Sequence, residues 1–329
     1  MAVLEAEAGA MPAVLLRAQA AGGFSAAIQL LCLRAIGAIS ARMGNRGMQS
    51  STWRLARYVF GGGNSAVLEM ASGGRLKIGL GDGYWTRLLI PGYVYEPEIW
   101  PALSRALAEP GVYFLDCGAN LGYWSVVCSQ FLPPGRVLAV EASPPNYAQL
   151  AANAKLNDEK FTTVWGALWE RDGEDAVIVS HNLRHAGSSI VDRRERIGQS
   201  GYREYTVSTI TLDSLCDRYV CDPGAGIVVK LDVEGAEIQA LRGASRVFRQ
   251  RPVLLLYEDH GGDRESKVSD FVMNELGLTV SACGPDGAVR RMRSLADVRQ
   301  EKVDPHVGYN FAAYSPSSSF AGIFAGPRP

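Results

Sequence analysis

An apolar run, Val112-Tyr113-Phe114-Leu115, ends in an acid and opens into a short glycine-rich segment, Asp116-Cys117-Gly118-Ala119-Asn120-Leu121-Gly122. Buried strand, glycine loop and helix in that order constrain a chain strongly, because the turn aims backbone N–H groups and a helix N-terminus at one spot beyond the strand. Gly118 permits a tight turn with close approach, and Gly122 lets the following helix pack against strand and ligand. A carboxylate at Asp116 suits a cationic ligand group better than a phosphate. The next apolar strand, Arg136 to Val140, ends in Glu141. An acid about 20 residues past the first glycine is where one carboxylate accepts both hydroxyls of a ribose. Taken singly, the glycines read equally well as turn residues and Glu141 as an exposed strand-end charge. At this spacing the pair predicts a nucleoside cofactor. A dinucleotide needs G-x-G-x-x-G so that backbone can approach a pyrophosphate, whereas this loop is G-x-x-x-G with an acid before it. That pattern favours S-adenosylmethionine, which has no phosphate and carries a sulfonium and an ammonium.

From Val112 onward short apolar strands alternate with helical stretches, which predicts an α/β fold: a Rossmann-like, seven-stranded, mostly parallel sheet with helices on both faces. Strands are expected near 112–117, 136–141, 161–167, 227–232, 252–258, 278–283 and 309–315, and helices near 121–131, 144–156, 211–219, 236–248 and 264–276. Two further strands around a polar loop, within 176–210, read as an insertion overhanging the pocket. Upstream, Ala66 to Met70 and Arg75 to Leu80 flank Ser72-Gly73-Gly74, a hairpin signal. The expected organisation is an N-terminal accessory segment (1–92, helix and hairpin), a main domain (93–315) and a flexible tail (316–329).

The 33 basic and 34 acidic residues nearly cancel, so no global field points to nucleic acid or to an anionic membrane. Six scattered cysteines without a CxxC pair read as reduced thiols of a cytoplasmic protein rather than a zinc site. Gly22 to Ser40 suggests an apolar helix; Gln29 and Arg34 interrupt it and Glu5 and Glu7 precede it, so an amphipathic helix is expected rather than a span or export signal, with no stable membrane insertion.

Several ordered motifs between about Tyr93 and Glu258 together resemble the FkbM-type methyltransferases, a class I Rossmann-like family that typically methylates hydroxyls of carbohydrates and secondary metabolites. They are Tyr95-Glu96-Pro97-Glu98, the loop Asp116 to Trp124 (with Cys117 where an aliphatic residue is usual), and Glu141-Ala142-Ser143-Pro144 (with Ala142 in place of a proline). Asn153 to Asn157, Gly187-Ser188-Ser189-Ile190, Thr211-Leu212-Asp213 and the octapeptide Lys230-Leu231-Asp232-Val233-Glu234-Gly235-Ala236-Glu237 complete the set. The resemblance implies that Asp116, Gly118 and Asn120 surround the methionine end of the cofactor, with Gly122 packing the helix against it, that Glu141 binds its ribose, and that Gly166 and Ala167 lie beside adenine.

Methyl transfer from a sulfonium is an in-line displacement, so the acceptor oxygen must be positioned and its proton removed as the new bond forms. Two strand ends offer candidates: Asp232 with Glu234, and Glu258-Asp259-His260. Asp232 is the preferred positioning group and cofactor contact, with helix capping as its alternative. His260 is a candidate base, with His185 its rival, and an ordinary loop histidine is the other reading of either. Glu96, His185, Ser188 and Glu234 are candidate substrate contacts. Asp232, Glu234, Glu258 and Asp259 are hard oxygen ligands, but no compact spacing demands a metal. The expected partner is a small hydroxylated acceptor, with a homo-oligomer left open. N-methylation, a non-catalytic cofactor-binding module and a dehydrogenase are the competing readings.

Overall fold

The structure is a computed structural model that describes residues 15–42, 58–181 and 202–324. At the N-terminal end, β1 (Leu15–Ala21) leads into helix α1 (Phe24–Arg42), and β2 (Ser65–Met70) and β3 (Arg75–Gly79) form the expected hairpin. The three strands make a small antiparallel sheet, β1-β2-β3. A 3-10 turn, Trp85–Leu89, and helix α2 (Trp100–Leu107) follow. Neither β1 nor α2 is marked by a motif in the sequence.

The main sheet uses β4 (Tyr113–Cys117), β5 (Val137–Glu141), β6 (Thr162–Trp165), β10 (Ile227–Leu231), β11 (Val253–His260), β12 (Thr279–Cys283), β13 (Val289–Met292) and β14 (Gly308–Tyr314). Its order is β13-β12-β14-β11-β10-β4-β5-β6. Strands β11, β10, β4, β5 and β6 run parallel, and β14 is wedged antiparallel between β11 and β12. These are the seven expected strands in a Rossmann-like arrangement. The eighth, β13, is an added hairpin arm at one edge.

The central strands read as unbroken apolar runs because both their faces are covered. Phe114, Val228 and Leu254 point into one buried cluster, and Leu115, Val229 and Leu255 into the other. The first cluster continues without a break into Leu68, Leu76, Ile78 and Trp85. The N-terminal segment thus shares its core with the sheet.

Helices α3 (Tyr123–Cys128), α4 (Pro144–Leu156), α5 (Leu212–Tyr219), α6 (Glu237–Arg242), α7 (Ser245–Gln250), α8 (Lys267–Asp270) and α9 (Leu295–Glu301) complete the layers. The motif Asn153 to Asn157 explains how the N-terminal hairpin docks. Asn153 on α4 and Asn157 at its C-cap accept from the backbone N–H groups of Lys77 and Arg75 at 2.8 and 2.9 Å. Asn153 also donates to the Leu121 carbonyl at 2.7 Å, so one side chain ties hairpin, helix and glycine loop together.

Several expectations change in detail. The strand expected at 161–167 divides at Gly166: β6 stays in the main sheet, and β7 (Ala167–Leu168) crosses to a second sheet with β8 (Asp175–His181) and β9 (Tyr202–Ile210). Its β8–β9 hairpin is the expected insertion. The helix expected over 236–248 is broken at Gly243 and Ala244, where Gly243 lies against the Trp169 carbonyl and a Cβ would come within 2.1 Å of its oxygen. The helix expected over 264–276 becomes α8 followed by a π-turn, Phe271–Glu275. The tail is not loose as far as Phe324, because Ser319–Phe324 forms a 3-10 turn that buries Phe320 and stacks Phe324 on Tyr314 at 4.3 Å.

The end of β11 is pinned from behind. Asp259 points away from the face that carries Glu258 and is wholly buried, with its carboxylate 2.5 Å from Lys302 Nζ. Lys302 also donates to Ser266 Oγ and to the Asp263 carbonyl, and Ser269 donates to Asp259. Removing one member of a buried pair strands the other charge, which costs about 3–5 kcal/mol. Lys302→Met is therefore expected to lower the denaturant midpoint by that equivalent, and Asp259→Leu combined with Lys302→Met to recover most of it. A Lys302→Met protein as stable as the wild type would show that the pair does not hold β11.

Candidate active site

Beyond the carboxyl ends of β4, β5 and β10 lies a cleft lined by residues of all three strand ends. Its first half is built by the glycine loop and the end of β5. Gly118 takes a left-handed φ of 85°, and a Cβ there would fall 1.8 Å from the Asp232 carbonyl oxygen. The close approach that requires glycine is therefore between the ends of β4 and β10, which brings the cofactor loop against Asp232. Gly122 serves helix packing, since a Cβ there would meet Leu150 at 2.6 Å.

Asp116, at the end of β4, accepts from Ser125 through both backbone N–H (3.0 Å) and hydroxyl (2.6 Å), which orients it into the cleft. Burial raises its carboxyl above the ordinary range, against the lowering pull of Lys230 and Ser125. Glu141 receives the backbone N–H of Asn120 on one oxygen and that of Ser143 on the other, each at 2.8 Å. Burial pushes Glu141 up to about 7, and those N–H bonds hold it from going higher. Beyond it, Ala142, Ser143, Gly166, Leu168 and Ile178 line a narrower, mostly apolar slot. Ala167, expected beside adenine, is buried behind this wall, because alternation along the strand turns its side chain away while Gly166 and Leu168 face the slot.

The second half is an aromatic wall around a buried cation. Tyr84, Trp85, Tyr95, Tyr123 and Trp124 line it, with Tyr95 edge-on to Tyr123 at 4.8 Å between ring centres. Trp85 donates to the Asn120 side chain at 3.2 Å, linking the wall to the glycine loop. Burial holds the Tyr84 and Tyr95 hydroxyls far above the ordinary phenol range, so both remain protonated and neither serves as a base.

Lys230 projects from β10 into this half, with Nζ 3.1 Å from Asp232 and 3.6 Å from Glu96. Burial works against its charge, but Glu96, Asp232 and Asp116 outweigh it, so the ammonium titrates well above the ordinary lysine range. Glu96 is fixed in turn by Trp124, which donates to it at 2.6 Å. It therefore sits behind the lining, as a partner of Lys230. Glu98, its neighbour in the motif, accepts from Asn310 on β14 at 2.7 Å.

Glu258, on β11 beside β10, hydrogen-bonds Asp232. Gly308 makes room for it, since a Cβ at 308 would coincide with the Glu258 carboxylate. Asp232 and Glu234 line the cleft, and Glu234 holds a left-handed φ of 50°. His260 does not reach the cleft. It lies one pleat beyond Glu258, exposed at the end of β11, and accepts from the Gly262 N–H at 3.0 Å. Asp259 faces the opposite side of the strand, so the four acids weighed as oxygen ligands do not converge. His185 and Ser188 lie outside the described residues.

Lys230, Tyr84 and Trp85 are the site residues that the sequence reading missed. A lysine inside Ile227-Val228-Val229-Lys230-Leu231 is the one signal that was present, since a charge in a strand buried on both faces needs partners. Tyr84 and Trp85 carry no motif.

Burial first, and the Asp232 charge next, push Glu258 from an ordinary 4.5 up to about 10. The folded chain thus keeps a proton there that the unfolded chain releases, and stability falls as pH rises between those two values. Glu258→Gln removes that dependence. Its Tm relative to the wild type is expected to rise steadily from about pH 5 to about pH 9. A constant offset across that range would mean that Glu258 is ionised in the folded protein.

With this geometry in view, the comparisons with known proteins are specific. The family model described as the methyltransferase FkbM domain matches residues 116–286. Methyltransferase sdnD of Sordaria araneosa is 25% identical over 154 residues, which cover 40% of this chain and 60% of that protein. The chain thus matches less than two thirds of the curated relative's length. An FkbM methyltransferase structure from Methylobacillus flagellatus KT is 14% identical with a TM-score of 0.37, covering 61% of this chain and 43% of that one. Aeropyrum pernix fibrillarin, solved with natively bound S-adenosyl-L-methionine, is 14% identical with a TM-score of 0.33, covering 76% and 93%. The family match spans the glycine loop, Glu141, the insertion, Lys230 to Glu237 and Glu258. The chain belongs to the FkbM family of S-adenosylmethionine-dependent methyltransferases.

Proposed function

We propose that this protein transfers the methyl group of S-adenosylmethionine to a hydroxyl of a small acceptor, such as a sugar, a glycan or a natural product. The cofactor supplies an electrophilic methyl carbon on a sulfonium. The lining fits that group: among the described residues four acids, Asp116, Glu141, Asp232 and Glu234, face the cleft, and the one basic residue there, Lys230, is already engaged by carboxylates. A pyrophosphate would meet repulsion there, whereas a ligand bearing positive charge is attracted. Asp116 and the loop Gly118 to Asn120 would hold the methionine end, Glu141 the ribose, and the slot from Ala142 to Leu168 the adenine.

The observation that carries the reading is the placement of Asp232. Its carboxylate lines the cleft where the cofactor loop meets the aromatic wall, held by Lys230 and by neutral Glu258. A hydroxyl must lose its proton as the carbon–oxygen bond forms, and Asp232 takes it. Lys230 and Glu258 act through Asp232 by fixing its orientation. The aromatic wall excludes water and presents flat apolar surface to the acceptor.

Removal of a general base lowers turnover by about 10²–10⁴-fold. Asp232→Asn is expected to lose kcat in that range, a larger factor than it loses in calorimetric affinity for S-adenosylmethionine. His260→Ala is expected to retain full turnover. The assay follows label from S-adenosylmethionine into an extract of the producing cell and identifies the product. Label on nitrogen would replace the hydroxyl acceptor, binding of NAD alone would sink the cofactor assignment, and an active Asp232→Asn would remove Asp232 as the base.

A further inference from the structure

Helix α1 is apolar on the face it buries and also on the face it does not. Inward, Ala26, Gln29, Leu30, Leu33, Gly37 and Ser40 recur every three or four residues and pack on the body of the protein. Gln29 anchors that face, donating to the Leu80 carbonyl at 3.2 Å and accepting from Asn64 at 2.8 Å. Outward, Phe24 is 82% exposed, Leu31 70% and Ile39 50%, with Ala27 and Ala35 between them. A groove beside Leu31 and Ala38 extends this surface over Ile90, Pro91 and Tyr93. By length and composition α1 would cross a membrane, with a mean hydropathy of 1.6. Its inner face is committed to the protein core, so it is placed to lie on a bilayer instead.

The charge around it has one sign. Between Glu7 and Glu69 the sequence contains no Asp or Glu and six arginines, at 17, 34, 42, 46, 54 and 57. Arg17, Arg34 and Arg42 are exposed, the latter two on α1 itself. Exposed large apolar side chains flanked only by arginines are the composition of a helix that sits in the interface of an anionic bilayer, with apolar groups among the acyl chains and cations at the headgroups. The near-neutral net charge of the whole chain conceals this segregation. We propose that α1 and its adjoining groove seat the protein on an anionic lipid surface.

The position of α1 gives such seating a consequence for the cleft. α1 packs on the turn Trp85–Leu89, with Gly37 allowing close contact to Ile90. Trp85, at the other end of that turn, lines the aromatic half of the cleft. One short turn thus separates the lipid-facing helix from the acceptor wall.

The test is flotation of the full-length protein with vesicles of phosphatidylcholine alone or with about one third phosphatidylserine, at low and high salt. Binding to the anionic vesicles only, weakened by salt, is expected. Leu31→Glu with Phe24→Glu should reduce the bound fraction at least tenfold, and Arg34→Glu with Arg42→Glu should do so on anionic vesicles. Both variants change exposed side chains, so their circular dichroism and calorimetric affinity for S-adenosylmethionine should match the wild type, which separates a failure here from a failure of the cofactor assignment. Three results would overturn the proposal: no binding to anionic vesicles, equal binding to both vesicle types, or a dimer in sedimentation that Leu31→Glu with Phe24→Glu dissolves while vesicle binding is absent.

Discussion

The ammonium of Lys230 is buried among three carboxylates, those of Glu96, Asp116 and Asp232, and the geometry of the cleft follows from how that charge is compensated. A cation on a strand covered on both faces is tolerated only if anions reach it, and each of these three comes from a different part of the chain. Asp116 lies near the end of the neighbouring parallel strand, Asp232 just past the end of Lys230's own strand, and Glu96 arrives from a segment that precedes the sheet. Meeting around one point fixes the relative position of glycine loop, acceptor side and N-terminal segment. Glu258 adds a fourth carboxyl, and the local excess of negative charge is relieved by its retaining a proton.

The N-terminal segment is part of the site. Asn153 and Asn157 bind the β3 backbone, and the chain then runs directly into Tyr84 and Trp85 on the cleft wall. Trp85 in turn holds Asn120 of the glycine loop. Half of the cleft therefore rests on residues outside the sheet, and its apolar character comes from them. The same segment carries α1 on its outer side, so the segment that shapes the acceptor wall also carries the exposed apolar face.

What could be read from the sequence depended on whether a residue's role is local. The loop at Asp116 to Gly122 and the acid at Glu141 act through spacing along one strand–loop–strand unit, and a reading of the sequence finds them. Asp232 was found for the same reason. The role given to Gly118 changed, because its close neighbour is the backbone of residue 232, which is remote in sequence. Glu258 was identified without its partner, and His260 was favoured for its chemistry, while its position at the far end of β11 leaves it outside the cleft. Ala167 was displaced by strand alternation, which turns its side chain away. Lys230 was read as one letter of a motif, since what makes it central is the convergence of two distant acids, Glu96 and Asp116, with nearby Asp232. Tyr84 and Trp85 owe their place to tertiary packing, which no periodicity records.

Glu96, Asn120 and Glu234 are three of the six described non-glycine residues with a left-handed φ, and all three belong to the cleft or to the network behind it. Each such conformation costs about 1 kcal/mol for an ordinary residue and almost nothing for glycine. Glycine at any of these positions would ease the backbone and delete the carboxylate or amide that the cleft uses. Selection for a more stable fold and selection for a working cleft therefore pull in opposite directions at these three positions, and a stabilised descendant of this chain would be recognised by glycines where its acids and amide used to be.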